Sequence, residues 1–249
     1  MGEAREHDRS GLSLERPFTL GIDVGGTHIK AGVIDAAGRA ATERLEIDTP
    51  RPAVPASVVR AIVELAEPLD FDRVSIGFPG VVVDGVTQTA PNLDAGWDGY
   101  PLAGELSQKL EKPLRVCNDA DLAGLGAVEG FGVEMLITLG TGMGSAVYLD
   151  GRLVPNLELG HHPFGDGMTY EERVSDRALS AVGEDAWRER VVENVELTRR
   201  IWNWRRLYLG GGNARLFRPE HLPEDVLLVS NQAGVLSAVK LWKDDRREP

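Results

Sequence analysis

Hydrophobic and polar positions change their period several times along the chain, and each change predicts an element. Phe18 to Val24 is almost continuously apolar and reads as a buried strand. It breaks at Gly25-Gly26, and His28 to Ile34 resumes as a second strand, which is the pattern of a glycine-turned hairpin. Asp35-Ala-Ala-Gly38 turns the chain again, and a third strand is expected over Arg39 to Ile47. After the proline-punctuated segment Thr49-Pro-Arg-Pro-Ala-Val-Pro55 the period lengthens. Val58, Ile62, Leu65 and Leu69 fall on one face of a helix. Val74 to Gly77 is a short strand running into Phe78-Pro79-Gly80, and two shorter strands flank the turn at Asp84-Gly85. Leu102, Leu106 and Leu110 mark another helix, and Leu114 to Cys117 another strand. Three strands, helix, strand, helix, strand is an α/β order.

The second half begins in the same way. Glu134 to Leu139 reads as a strand, Gly140-Thr-Gly-Met-Gly144 as a glycine turn and Ser145 to Leu149 as the returning strand. Asp150-Gly151 turns into Arg152 to Val154. A long helix carries Trp187, Val191, Val195 and Trp202 on one stripe. Leu207 to Leu209 is a strand ending in Gly210-Gly-Gly-Asn213, and the last helix shows Val235, Val239 and Trp242 on one face. Two glycine hairpins opening two α/β halves suggest an internal duplication, visible in topology more than in identity. The expected organisation is a flexible tail over 1–17, a first lobe over 18–118 rejoined by a helix over 232–243, a second lobe over 119–231, and a tail over 244–249.

Composition narrows the function classes. With 249 residues and 42% hydrophobic positions the chain can bury one large or two modest cores. No apolar run is long enough for a membrane span, and the amino terminus lacks the apolar stretch of a secretory signal. A formal net charge of −12 disfavours nonspecific binding to nucleic acid or to an anionic membrane. The single cysteine, Cys117, excludes an intrachain disulfide framework and a multi-cysteine zinc cluster, and fits a reducing, cytoplasmic compartment.

Several features can carry chemistry. Glycines at the tip of Asp23-Val-Gly-Gly-Thr27 let backbone N–H groups approach an anion, while Thr27 adds a hydroxyl. Asp23, at the strand end, can orient Mg²⁺ directly or through a water. An ordinary turn capped by Asp23 is the competing explanation. The second glycine turn weighs against it, because one hairpin per lobe can hold a polyphosphate between them. The letters of that second turn resemble a dinucleotide fingerprint, but a strand follows instead of a helix, and no Walker lysine is present.

Asn118-Asp119 lies where a strand ends and a helix begins, and ligands of open α/β sheets gather at such ends. A carboxylate there can accept a hydroxyl proton. Asp119 can equally be the helix N-cap, unless Asp121 takes that place. Glu158-Leu-Gly-His161 pairs a carboxylate with an imidazole that can hydrogen-bond adjacent sugar hydroxyls. A metal site with His162 and a solvated turn compete with that reading. Asn92 is a turn residue unless something recruits it. Arg199, Arg200, Arg205 and Arg206 around Trp202 and Trp204 can bind nucleic acid or a phosphate chain, or form the solvated face of an amphipathic helix with its tryptophans in the core.

Taken in order, Asp23-Val-Gly-Gly-Thr27, Gly77-Phe-Pro-Gly80, Asn118-Asp119, Leu139-Gly-Thr-Gly142 and Glu158-Leu-Gly-His161 resemble the pattern of the ROK family. That family comprises sugar kinases and related transcriptional regulators of the actin-like, ribonuclease H-like fold. The resemblance runs from about Leu20 to Trp242. Within the family the chain is most similar to the polyphosphate glucokinases, through Thr49-Pro-Arg-Pro52, Leu153 to His161, Tyr170 to Ala178 and Leu207 to Ala214. The resemblance implies a two-lobed α/β sugar kinase with its active site in the interlobe cleft. It makes Asp119 the general base and places Asn92, Asn118, Glu158, His161 and Glu171 around the sugar. The first hairpin brings Asp23, Gly25, Gly26, Thr27 and Lys30 to the phosphoryl donor. The second half brings Gly140, Thr141, Gly142, Gly211, Gly212 and Asn213.

The activity this implies is phosphorylation of glucose, or a close hexose, at the 6-hydroxyl, with inorganic polyphosphate, ATP or both as donor and Mg²⁺ as cofactor. Alternatives are an ATP-only hexokinase or mannokinase, and a noncatalytic sugar-sensing protein. The partners expected are the hexose and the donor, with no nucleic acid and no membrane. A homodimer is expected as the commonest symmetric assembly. One departure stands out: many relatives carry a cysteine-rich zinc loop after the Glu-x-Gly-His segment, and here Gly165-Asp-Gly-Met-Thr169 takes its place. No structural zinc is therefore expected, which leaves His161 to the sugar. Elemental analysis of the purified protein should find zinc far below one per chain, and a stoichiometric amount would contradict this.

Overall fold

The structure, a computed structural model, describes residues 13–229, 235 and 237–242. Most of the tail expected over 1–17, the tail over 244–249 and much of the helix over 232–243 lie outside them. The chain divides into two compact units. The first runs to Gly126 and takes in the described residues from Val235 onward; the second begins at Ala127.

In the first unit β1 (Thr19–Val24), β2 (His28–Ile34) and β3 (Leu45–Asp48) form an antiparallel meander. It is followed by α1 (Pro55–Ala66), β4 (Arg73–Phe78), the small hairpin β5 (Val82–Val83) and β6 (Val86–Thr87), α2 (Leu102–Leu110), β7 (Leu114–Asn118) and α3 (Asp119–Ala127). The five-stranded sheet has the order β3-β2-β1-β4-β7, with β1, β4 and β7 parallel. Leu20, Ile22, Val24, Val74 and Ile76 are fully buried in its core. The α1 face is turned slightly from the expected one: Val58, Val59, Ile62 and Ala66 are buried, and Leu65 is half-buried.

The third strand is shorter than the expected 39–47. Buried Asp35 accepts N–H groups from Ala37 (3.0 Å) and Arg39 (2.8 Å) and the Arg39 guanidinium, gathering that stretch into a turn. Ala40 makes an isolated bridge to Ile34 and Thr42 Oγ1 accepts the Val33 N–H (3.0 Å), but the continuous ladder with β2 starts only at Leu45. At the other end of the chain, a 3₁₀ turn over Ala238–Trp242 docks on the same unit. Ser75 Oγ donates to Ala238 O (2.8 Å), Trp242 Nε1 donates to Ser75 Oγ (2.8 Å), and Arg115 lies over the Trp242 ring at 4.4 Å.

The second unit contains β8 (Val133–Leu139), β9 (Met143–Leu149), β10 (Arg152–Val154), the hairpin β11 (Pro163–Gly165) and β12 (Met168–Thr169), and then α4 (Tyr170–Val174). After these come α5 (Asp176–Val182), α6 (Glu184–Trp202), β13 (Arg206–Gly210) and β14 (Val226–Leu228). Its sheet has the order β10-β9-β8-β13-β14, with β8, β13 and β14 parallel. Strand order and directions repeat those of the first unit, so the duplication read from the sequence is present in the topology. Trp187, Val191 and Val195 of α6 are buried, and Trp187 Nε1 donates to Val174 O (2.9 Å). Asp150-Gly151 has φ of 51° and 74°, the geometry of a two-residue hairpin turn that matches strand twist. No helix among the described residues is long and apolar enough to cross a membrane.

One buried charge anchors the second sheet. The Glu134 carboxylate accepts N–H groups from Glu129 (2.9 Å), Gly130 (2.6 Å) and Phe131 (3.1 Å) and the Tyr208 hydroxyl (2.8 Å). Burial opposes its charge, but these four donors outweigh burial and hold the carboxyl below the usual glutamate range. A depressed carboxylate contributes stability above its unfolded pKa and loses that contribution as pH falls through the folded one. Glu134→Gln turns an NH₂ toward at least one pair of these donors. Urea unfolding at neutral pH should show a loss on the order of 1–3 kcal/mol. The variant should also lose less stability than the parent on acidification; equal acid sensitivity would contradict the assignment.

Candidate active site

The first glycine hairpin joins β1 to β2, and its tip is fixed from behind. Gly25 N–H donates to His28 O (2.9 Å), Thr49 Oγ1 to Gly25 O (2.6 Å), and Arg51 Nη2 to Gly26 O (2.8 Å). Asp23 sits at the end of β1, paired across the sheet with Lys30. Burial pushes the Asp23 carboxyl up, and the nearby charges of Lys30 and Arg44 offset this only in part. Such a carboxylate is short of positive charge. Asn92, exposed in its loop, presses its main chain on the hairpin: a Cβ on Gly26 would lie 3.0 Å from the Asn92 carbonyl oxygen. The first unit thus brings Asn92 together with Gly25, Gly26 and Thr27.

The junction of β7 and α3 corrects the expected cap. Neither Asp119 nor Asp121 caps α3. Asn118 does, its Oδ1 accepting N–H from Ala120 (2.8 Å) and Asp121 (3.3 Å). Its Nδ2 donates to Gly80 O (3.2 Å), which binds the Phe78-Pro79-Gly80 bend to the same point. Asn has the stronger claim because its amide can cap and donate at once, which a carboxylate cannot. Asp119 is left half-exposed in the first turn, Oδ1 receiving the Ala120 N–H (2.7 Å), where the helix terminus favours negative charge.

In the second unit the hairpin between β8 and β9 closes with Gly140 N–H on Gly142 O (3.0 Å). Glu171, from α4, lies directly against it. Its Oε2 accepts the Met143 N–H (3.0 Å), and a Cβ on Gly142 would overlap that oxygen. Ser145 Oγ, on β9, donates to Leu157 O (2.8 Å) and accepts the Leu159 N–H (3.2 Å), which draws the Glu158-to-His161 turn onto the sheet. Glu158 Oε2 is 3.9 Å from Nδ1 of exposed His161. Burial pushes the Glu158 carboxyl up; His161 opposes that and Glu171 adds to it. Glu158, His161, Glu171, Gly142 and exposed Thr141 therefore belong to one neighbourhood. Gly211 packs on the Leu139 main chain at φ +88°, Asn213 Nδ2 donates to Asp176, and Asp176 N–H donates to Gly140 O (3.0 Å). Gly212 opens the short turn that carries Asn213.

His162 turns its Nδ1 to Pro163 O (3.0 Å) and its ring edge to Tyr170, and no group of three His, Cys, Asp or Glu suited to a metal occurs among the described residues. The 163–169 stretch carries no thiolate and folds as a hairpin through Asp166-Gly167, so its residues do not fit a structural zinc. In the arginine cluster, Arg199 pairs with Asp225 and Glu196 and lies over buried Trp204 (4.0 Å), and Arg206 pairs with Glu129. Those two charges already have partners.

Sequence reasoning named every site residue above except those that support them. Thr49, Arg51 and Asp176 hold the hairpins through contacts far along the chain, and Asp94 accepts the Ala53 N–H (2.5 Å) beside the Asn92 loop. Only the punctuated Thr-Pro-Arg-Pro segment hinted at this.

Comparison with known proteins identifies the family and the fold. The model of the ROK family matches residues 19–185. A polyphosphate glucokinase of Mycobacterium tuberculosis is 33% identical over 235 residues, covering 88% of this chain and 84% of its own. An inorganic polyphosphate/ATP-glucomannokinase from Arthrobacter sp. strain KM is 31% identical with a TM-score of 0.80, covering 91% of this chain and 98% of its own. A ROK family glucokinase from Streptomyces griseus, solved with glucose and AMPPNP, shares the fold at a TM-score of 0.75 and 23% identity, over 90% of this chain and 98% of its own.

The close approach of Glu171 to Gly142 is testable by itself. Gly142→Ala should push the carboxylate off the Met143 N–H and cost about 1–3 kcal/mol in urea unfolding. Unchanged stability would mean that the contact is not made.

Proposed function

The chain belongs to the ROK family, and from that premise we propose that it is a cytoplasmic kinase that phosphorylates glucose or a close hexose at the 6-hydroxyl. Inorganic polyphosphate, ATP or both serve as donor, as the names of its relatives suggest. The observation that supports this best is the construction of each hairpin. In both units a residue of the proposed sugar set lies against a glycine tip, Asn92 on Gly26 and Glu171 on Gly142.

In the proposed reaction the hexose 6-oxygen attacks the terminal phosphorus, and the bond from that phosphorus to the rest of the donor breaks. Asp119 takes the hydroxyl proton. Asn118, by capping α3 and gripping Gly80, holds Asp119 where the helix begins. Glu158 and His161 bind sugar hydroxyls, the carboxylate accepting and the imidazole donating. Glu171 serves the sugar while fixing its hairpin. Hairpin N–H groups face the transferred phosphoryl oxygens and are already oriented before reaction, so little reorganisation is needed. Asp23 fits an Mg²⁺ ligand, because its burial leaves it short of positive charge and Mg²⁺ sites commonly use one or two carboxylates beside substrate phosphates. When bound, Mg²⁺ supplies charge neutralisation to the phosphoryl oxygens.

Asp119→Asn keeps the side chain's size and its acceptor for the Ala120 N–H but cannot take a proton. Turnover should fall by about 10²-fold or more. Glucose affinity, read by calorimetry, should stay near that of the parent. Near-normal turnover in this variant would remove Asp119 as the base.

A further inference from the structure

The segment Thr49–Ala53 makes contacts out of proportion to its length. Thr49 Oγ1 donates to Gly25 O (2.6 Å), Arg51 Nη2 to Gly26 O (2.8 Å) and Thr49 N to Thr27 O (2.8 Å), so three consecutive carbonyls at the first hairpin tip are held by one strap. In a trans peptide the N–H lies antiparallel to the carbonyl before it. Fixing the Gly25 carbonyl therefore aims the Gly26 N–H away from Thr49 Oγ1. Fixing the Gly26 carbonyl aims the Thr27 N–H away from the Arg51 guanidinium. A bond from a charged guanidinium also polarises its peptide and strengthens the N–H as a donor.

The same strap grips the Asn92 loop. Ala53 N–H donates to Asp94, and Ala53 O accepts Trp97 Nε1 (2.9 Å). Trp97 is buried, with its ring 4.8 Å from that of Phe78, so this end of the strap is set in the core. Between the two grips, Gly26 touches the Asn92 main chain. Hairpin, strap and loop close a ring of contacts within the first unit. Arg51 itself is exposed, and the hydrophobic core does not require it.

We propose that Thr49 and Arg51 are positioning residues for the phosphoryl donor. They orient the Gly26 and Thr27 N–H groups and hold them in register with the Asn92 loop. This rests on reading the first hairpin as a donor site. Because the strap acts on carbonyls behind the tip, its loss degrades donor binding and transfer before it degrades sugar binding.

The test uses the full chain with Arg51→Met, Arg51→Lys, Thr49→Val and Thr49→Ser. Tripolyphosphate and glucose affinities are measured separately by calorimetry in Mg²⁺, beside steady-state rates. Arg51→Met and Thr49→Val should each weaken tripolyphosphate binding and raise its KM by about tenfold, the value of one charge-assisted or buried hydrogen bond, with kcat reduced. Glucose affinity should stay within about twofold. Arg51→Lys and Thr49→Ser, which keep a donor, should recover most of the loss. The inference is overturned if Arg51→Met and Thr49→Val bind tripolyphosphate like the parent, or if glucose affinity falls in step with donor affinity. A parent whose tripolyphosphate affinity falls in Arg51→Met and Thr49→Val, yet which forms no hexose phosphate, upholds the inference and refutes the kinase reading. A parent that phosphorylates hexose, with variants that match it, refutes the inference alone.

Discussion

Both glycine hairpins depend on a close approach that leaves no room for a side chain. The Glu171 carboxylate occupies the space a Cβ on Gly142 would fill, and a Cβ on Gly25 would lie 2.8 Å from the His28 carbonyl oxygen, while one on Gly26 would lie 3.0 Å from that of Asn92. Glycine lets a backbone come this near to another group, at a conformational cost that tertiary contacts must offset. Here they do so by holding the tips from behind, through Thr49 and Arg51 in one unit and through Glu171 and Asp176 in the other. The result is a pair of hairpin tips whose main chain is held in place by the fold.

The two units reach this end by different means on the same sheet. Strand order and direction repeat, so the hairpin occupies the same place in each topology. In the first unit an irregular strap after β3 supports the tip. In the second the support is α4, started by a capping box between Thr169 and Glu172 immediately after the β11–β12 hairpin. That cap fixes the turn of helix that carries Glu171, and Arg173 over the Phe164 ring (4.1 Å) packs the hairpin against the helix. A two-residue turn and a helix cap thus carry the chain from β11 into α4.

Periodicity made the two hairpins, the long helices and the α/β order legible, because each of those elements repeats its pattern over several residues. Short elements escaped it: β11, β12, α4 and α5 are two to seven residues long, too brief to show a period. The cap at Asn118 was misread for a different reason. Asn and Asp share a preference for that position, and only the additional bond to Gly80 decides between them. Family resemblance supplied Asn92, Glu158 and Glu171 as a set, while their supports came only from the fold. Arg51 stood out only as part of the Thr49-Pro-Arg-Pro52 segment, and nothing local shows that its guanidinium will reach back 25 residues to a carbonyl.

The account stands on phosphoryl transfer to a hexose, and a product assay addresses it directly. Purified chain with Mg²⁺ is supplied with glucose, mannose or N-acetylmannosamine against polyphosphate and ATP in parallel, and sugar phosphates are identified by NMR. Glucose 6-phosphate should accumulate with at least one donor, in step with donor consumption. Sugar and donor that both bind while no hexose phosphate forms with either donor would contradict the account.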